Sequence, residues 1–461
     1  MRYRMALLVI FIATLLLFLG EPQKIQRGGA LNEVVPDRAD VVTNLVFPKN
    51  FVFGAASSAY QTEGGNTHSD WYYWQSEKLG HKLTPAEDLQ IDHYHRFNED
   101  FDLVKQIGLG SVRISIEWAR IEPDCYGKFD AREMAHYKEV VRAMKKRGIT
   151  PFINLHHFSL PMCYAQSGGW LDPQMPEYFA RYAAYVAKHL PGVEWWMTFN
   201  EPMVVVMDGY IHGRYPPGVK DATGEEALQV AVNILEAHRR AYREIHAIAR
   251  KRNAKAMVGM ASFTPLYLPS SPDNASDKRV ALGFNFLKRF FDIGAGREQD
   301  YVGINYYSRH FLKFSVWGLL FGEYVSQSQG DGAKTDMGWE VYPYGLYEVI
   351  QEYRSFGKPI IVTENGIADG KDEKRPRFIL EHLYWVHKAI QEGADVRGYF
   401  VWSLTDTYEW NYGFESRFGL IAIDYEHGLA RSIRPGALVY GEVARTKKIT
   451  PELWRKVFLK K

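Results

Sequence analysis

The sequence predicts an α/β fold, a single (β/α)8 TIM barrel preceded by an N-terminal hydrophobic segment. Three observations carry that prediction. Short runs that are apolar on both faces alternate with amphipathic helical stretches, the pattern of a parallel sheet covered by helices. There are eight such runs between Leu45 and the carboxyl terminus, the number that closes a barrel. Nearly every run ends on a hydrogen-bonding side chain at its carboxyl end, where barrel active sites are assembled. An open doubly wound sheet is the rival. It would carry a glycine-rich dinucleotide or phosphate loop, and neither a G-x-G-x-x-G after the first run nor a P-loop is present.

The expected strands cover residues 51–56, 112–117, 150–155, 194–198, 256–261, 301–305, 359–363 and 398–402. Each is four to eight residues of apolar, β-branched or aromatic character, as buried strands require. Helical periodicity places helices over 99–107, 131–146, 177–190, 225–250, 344–356 and 377–392. Lys145-Lys-Arg-Gly148 is a helix stop, with basic residues in the last turn and glycine after it. At the strand ends stand Gln61 after the first, Arg113 within the second, His156-His157 after the third and Asn200-Glu201 after the fourth. Asn305-Tyr-Tyr307 closes the sixth, Glu364 the seventh and Trp402 the eighth.

Composition narrows the function. The chain has 461 residues, 46% hydrophobic and 24% charged, with a net charge of +2, which describes a globular body with ample core. No basic excess is available to neutralise phosphates, so nucleic acid is excluded as a partner. With only Cys125 and Cys163, neither a disulfide framework nor a cysteine zinc site is expected. His93 and His95 have no third ligand nearby and read as packing or surface residues. Aromatics reach 15%, a share that suits a carbohydrate site, where rings act as stacking surfaces.

Residues 1–20 differ in kind. Arg2 and Arg4 precede an uncharged run over 5–20. As a helix it would be about 24 Å long, the length of a signal-peptide core or a short anchor. No small-residue cleavage site stands out, so the expectation is membrane association through an uncleaved anchor. The catalytic body then lies outside the cytoplasm, or is secreted if the segment is removed. Residues 21–44 are a polar linker and 45–461 the barrel domain.

Two carboxylates stand out. The apolar runs Ile360-Ile-Val-Thr-Glu364 and Trp196-Met-Thr-Phe-Asn-Glu201 each stop on a glutamate. An unpaired carboxylate there is costly unless it is used. A strand-end salt bridge would explain either one alone. Two on one scaffold are what a glycosidase needs, one to protonate the leaving oxygen and one to meet the sugar carbon.

Their contexts resemble family 1 of the glycoside hydrolases, the β-glucosidase-like retaining enzymes. The segment Phe51-Val-Phe-Gly-Ala-Ala-Ser-Ser-Ala-Tyr-Gln61-Thr-Glu-Gly64 is similar to the family's amino-terminal signature. Ile361-Val-Thr-Glu364-Asn-Gly366 resembles its nucleophile motif and Thr198-Phe-Asn-Glu201-Pro202 its acid/base motif. Trp402-Ser-Leu-Thr-Asp-Thr-Tyr-Glu409-Trp410 resembles its sugar clamp. The resemblance implies Glu364 as nucleophile, Glu201 as acid/base, and Arg113 and Tyr307 as contacts of the nucleophile. It implies substrate contacts from Gln61, His157, Asn200, Trp339, Trp402, Glu409 and Trp410, with Asn305 in support. It implies no cofactor and no metal. Glu409 argues for an unphosphorylated hexoside, since a carboxylate repels phosphate.

Two stretches depart from the family pattern. Residues 277–300 are short where the family has a long connection. Residues 311–322, rich in phenylalanine, leucine and tryptophan, suggest an apolar acceptor groove for alkyl glycosides as the alternative to plain packing. Asn274-Ala-Ser276 fits the glycan-acceptor pattern. The leading expectation is a retaining exo-β-glycosidase for β-glucosides, with β-galactosides second. A transglycosidase using alcohol acceptors and a catalytically silent sugar-binding relative are the alternatives. Oligomeric state is left open.

Overall fold

The computed structural model describes residues 43–84, 87–220, 222–315, 326–327 and 332–459. Eight parallel strands close into a barrel. They are β1 (Val52–Ala56), β2 (Ser111–Ser115), β3 (Thr150–Asn154), β4 (Trp195–Asn200), β5 (Met257–Phe263), β6 (Tyr301–Asn305), β7 (Ile360–Asn365) and β8 (Val396–Trp402). Each pairs with its neighbour in chain order, and β8 closes on β1 through Gly398–Val52 to Trp402–Ala56. The outer ring is α1 (His93–Ile107), α2 (Ala131–Lys146), α3 (Met175–His189), α4 (Gly224–Lys251), α5 (Phe290–Ala295), α6 (Pro343–Tyr353), α7 (Arg375–Gln391) and α8 (Pro435–Thr446).

Local chemistry starts these helices. The Asp130 carboxylate accepts from the Arg132 and Glu133 amides at the head of α2. Thr223 and Glu226 form a reciprocal capping box on α4. Each such cap is worth about 1 kcal/mol. The barrel interior is filled rather than open. The Phe152 ring lies 5.3 Å from Phe400 and 5.6 Å from Tyr301. Gly54 makes room for this filling, since a Cβ there would stand 2.5 Å from the Phe400 ring. Above this plug the residues turn polar, and the pocket begins.

Strand ends at the catalytic rim match the sequence expectation or differ from it by up to two residues. β4 runs on to Asn200 and β7 to Asn365, with register shifts between Met197 and Asn200 and between Val362 and Glu364. Such irregularities re-aim side chains next to a site. Short strands outside the barrel were not expected. Leu266–Pro269, Arg309–Leu312 and Ser326–Gln327 form a small sheet, and Ile421–Asp424 pairs with Ala430–Ile433.

Two expectations need correction. Cys125 and Cys163 form a disulfide, with Cα atoms 6.2 Å apart. Thirty-eight residues separate them in the chain, but the loops after β2 and β3 run side by side at the same rim. The membrane location is also corrected. Among the described residues no helix is long and apolar enough to cross a membrane; the ring helices bury one face and show water the other. The segment 1–20 that motivated the location lies outside the described residues, as do residues 316–322 of the apolar loop.

Candidate active site

The expected site residues converge on the carboxyl rim of the barrel. Glu364, on β7, is 3% exposed and holds two donors. The Arg113 guanidinium of β2 pairs with its Oε1, and the Tyr307 hydroxyl donates to Oε2 at 2.5 Å. Burial and the Glu364 charge raise the Tyr307 pKa well above its ordinary value, so the phenol stays a donor. Arg113 is fully buried and lies 5.7 Å over the Trp402 ring. Its second nitrogen donates to Asn200 Oδ1 at 3.2 Å.

Glu201 follows β4 in a left-handed conformation, φ 46° and ψ 59°. For a non-glycine residue this costs about 1–2 kcal/mol. Its amide donates to the Ala261 carbonyl at 2.7 Å, which holds the turn. The Asn305 amide donates to Glu201 Oε1 at 2.8 Å and to Asn200 Oδ1 at 3.1 Å. Glu201 is pushed up to about 8, by burial first and then by the charge of Glu364; Asn305 and Arg113 oppose the rise. One chain of hydrogen bonds, Glu364–Arg113–Asn200–Asn305–Glu201, thus joins the two carboxyls.

A second group faces the same space. The Asn200 amide meets His157 Nε2 at 3.2 Å, and Asn154 meets His157 Nδ1 at 3.2 Å. His157 stacks against Trp402 and Trp410 at 5.7 and 6.0 Å. Burial first, then the Arg113 charge, lowers its pKa well below the usual range, which keeps the imidazole neutral. The Gln61 amide donates to the Tyr408 carbonyl at 2.7 Å and more weakly to Glu409 at 3.4 Å. Glu409 is raised to about 8 by burial and by Glu364, and Trp402 and Gln61 hydrogen-bond it. Trp339 stands at the edge, its ring 5.7 Å from Tyr307 and 6.2 Å from Phe418.

The structure also assigns contacts that sequence reasoning placed differently. Asn305 reaches Glu201 directly rather than from behind it, and Thr363 orients Asn305 by donating to its Oδ1 at 2.7 Å. Asn154 was missed, although an asparagine ending the strand Thr150-Pro-Phe-Ile-Asn154 is a visible signal. Ser58, which donates to Gln61 Oε1 at 2.6 Å, carries no signal of its own. His93, left aside as a packing or surface residue, bonds Asp100 at 2.7 Å.

With this geometry in hand, the match to known proteins decides the family. The model described as glycosyl hydrolase family 1 matches residues 43–296 and 295–449. This chain belongs to glycosyl hydrolase family 1. Among its family 1 relatives, "Beta-glucosidase A" of Acetivibrio thermocellus is 31% identical over 458 residues, covering 88% of this chain and 99% of that protein. A protein named "Beta-galactosidase" from Pyrococcus woesei is 31% identical and covers 89% and 100%. Relatives named 6-phospho-beta-galactosidase are 30% identical. The solved β-glycosidase of Pyrococcus horikoshii superposes with a TM-score of 0.82 at 36% identity, covering 90% of this chain and 99% of that one. This family 1 protein is therefore an enzyme, a glycosidase of the β-glucosidase and β-galactosidase kind.

Proposed function

We propose that the chain is a retaining exo-β-glycosidase acting on unphosphorylated β-D-glucosides, with β-galactosides second, and that the domain from residue 45 onward carries the activity. The unequal surroundings of its two facing carboxyls support this reading most. Glu364 lies between a guanidinium and a phenol, both of which donate to its carboxylate oxygens. Glu201 has a single amide donor and a pKa near 8, so it keeps a proton at neutral pH.

In this mechanism Glu364 attacks the anomeric carbon while the bond to the leaving oxygen breaks. Glu201 gives its proton to that oxygen, and a covalent glycosyl-enzyme results. Once Glu364 is bonded its charge is gone, so the pKa of Glu201 falls and the group turns into a base. Water, deprotonated by Glu201, attacks the same carbon, and two inversions return the β configuration. Arg113 and Tyr307 aim Glu364. Gln61, His157, Asn200, Glu409 and Trp410 hold the sugar hydroxyls, and Trp402 supplies the stacking face. Trp339 closes the edge toward the leaving group.

The preference for unphosphorylated sugar rests on charge. Glu409 is raised to about 8, so it is largely neutral in the empty pocket and repels less than a fixed carboxylate would. Among the described site residues the cation is Arg113, which is engaged by Glu364 and Asn200. A phosphate on the sugar would be buried without a partner, at a cost of several kcal/mol. The apolar or alkyl leaving-group preference rests on the apolar sequence of residues 311–322, of which 316–322 lie outside the described residues. A panel of nitrophenyl glycosides varied in sugar, anomer and 6-phosphate tests the proposal. The β-glucoside should give the highest kcat/KM, and a preference for an α-anomer or a 6-phosphate would overturn it.

A further inference from the structure

A second buried carboxyl cluster lies outside the reacting pair. Glu117, just past β2, is 2% exposed, and Glu63, just past the Gln61 turn, is 5% exposed. The Ser159 hydroxyl lies 2.9 Å from both oxygens of Glu117. The Glu117 amide donates to the Tyr137 hydroxyl oxygen at 3.0 Å, and that hydroxyl donates to Glu63 at 2.9 Å. Arg120 completes the set, bonding Glu63 at 2.8 Å and the Gly64 carbonyl. These contacts run from the loop after β1 to the loop after β3. Glu63 is two residues beyond Gln61, and Ser159 is two residues beyond His157.

We propose that Glu117 is a positioning residue of the sugar subsite, which through Ser159 and Tyr137 fastens the His157 loop to the Gln61 loop. The inference rests on the reading above that Gln61 and His157 hold the sugar. Gln61 and His157 sit on different loops, and a sugar ring can bridge them only if their separation is kept. Other contacts also join these loops, with Asp70 and Leu160 exchanging hydrogen bonds at 2.9 Å and the Met162 amide donating to the His68 carbonyl at 2.7 Å. On the first loop they attach well past Gln61, whereas the Glu117 link reaches Glu63 and Ser159, next to Gln61 and His157.

The charges favour a neutral Glu117. Two buried carboxyls, Glu63 and Glu117, face one guanidinium, Arg120, whose next carboxylate, Glu133, is 3.8 Å away. Burial and the Glu63 charge raise Glu117 to about 8, against the opposing Ser159 and Ala119 hydrogen bonds and Arg120. The Tyr137 and Tyr182 phenols face it from α2 and α3. Glutamine is therefore the isostere of the working form, with a donor where the acid has its proton.

A plain structural role, such as capping the turn at Ala119, predicts lower stability with unchanged kinetics in the folded fraction. The positioning role predicts a split. Glu117→Ala should raise KM for nitrophenyl β-glucoside, and Ki for glucose as a competitive inhibitor, by about tenfold, with kcat held within about threefold. Glu117→Gln should restore both constants. Ser159→Ala should reproduce the effect, and the double variant should be no worse than either single one, because both break the same link. If Glu117→Ala does not fold, Ser159→Ala carries the test alone. Wild-type KM and Ki in a folded Glu117→Ala or Ser159→Ala, or glutamine as harmful as alanine, would overturn the proposal. An unmodified protein inactive on every nitrophenyl β-glycoside would instead overturn the glycosidase reading, before any substitution is made.

Discussion

Glu364 ends β7 between a guanidinium and a phenol, whereas Glu201 lies past β4 with one amide at its carboxyl. Both are glutamates, both are buried, and both follow an apolar strand. What separates them is the set of donors that other strands of the barrel bring to each. Glu364 receives Arg113 from β2 and Tyr307 from the end of β6, and Glu201 receives Asn305 from β6. A carboxyl's role in this pocket is thus set by the donors that surround it, not by its own chemistry or its depth.

The contrast can be broken most severely at Glu364. Glu364→Ala should lower hydrolysis of aryl β-glucosides by about four orders of magnitude or more. Added azide should partly restore turnover and yield the α-glycosyl azide; wild-type-like turnover would erase the distinction. Glu201→Ala should cost about 10²–10⁴-fold in kcat/KM for poor leaving groups. It should cost far less for a dinitrophenyl glucoside, which leaves without a proton, so equal losses on both would remove Glu201 as acid.

Smaller changes sharpen the comparison. Tyr307→Phe removes one hydrogen bond to a charged group, about 1.5–3 kcal/mol, and should lower kcat/KM roughly ten- to hundredfold. The pH profile tests the other side. With Glu201 near 8, kcat/KM should fall as pH rises through that value and the acid loses its proton. Asn305 opposes the rise of that pKa, so Asn305→Ala should move the alkaline limb upward by about one unit. Because the folded pKa lies above the unfolded one, Glu201 contributes stability fully below about pH 4.5 that is lost as pH rises through about 8. A thermal midpoint that is flat across that window would count against the assignment.

Much of this was legible in the chain. The eightfold alternation closes into the barrel, and the residues expected at the strand ends share one rim, because period and turn chemistry are local properties. Strand ends were less legible. β4 and β7 run on past their expected ends through irregular register, a feature of the paired neighbour. The Cys125–Cys163 bridge was missed for a related reason, as its partners meet only where two loops of different strands run together. Glu117 shows the same limit, since it ends the expected second strand but its partners Ser159 and Tyr137 come from another loop and a helix that only the folded chain brings to it.

The sequence by itself determined the strands, the helices and which side chains end each strand, since those follow from the spacing of apolar residues and the turn signals between them. The tertiary structure decided which carboxyl is paired with a cation and which keeps its proton. That difference comes from donors 57 to 251 residues away in the chain, brought within hydrogen-bond distance only when the sheet closes on itself.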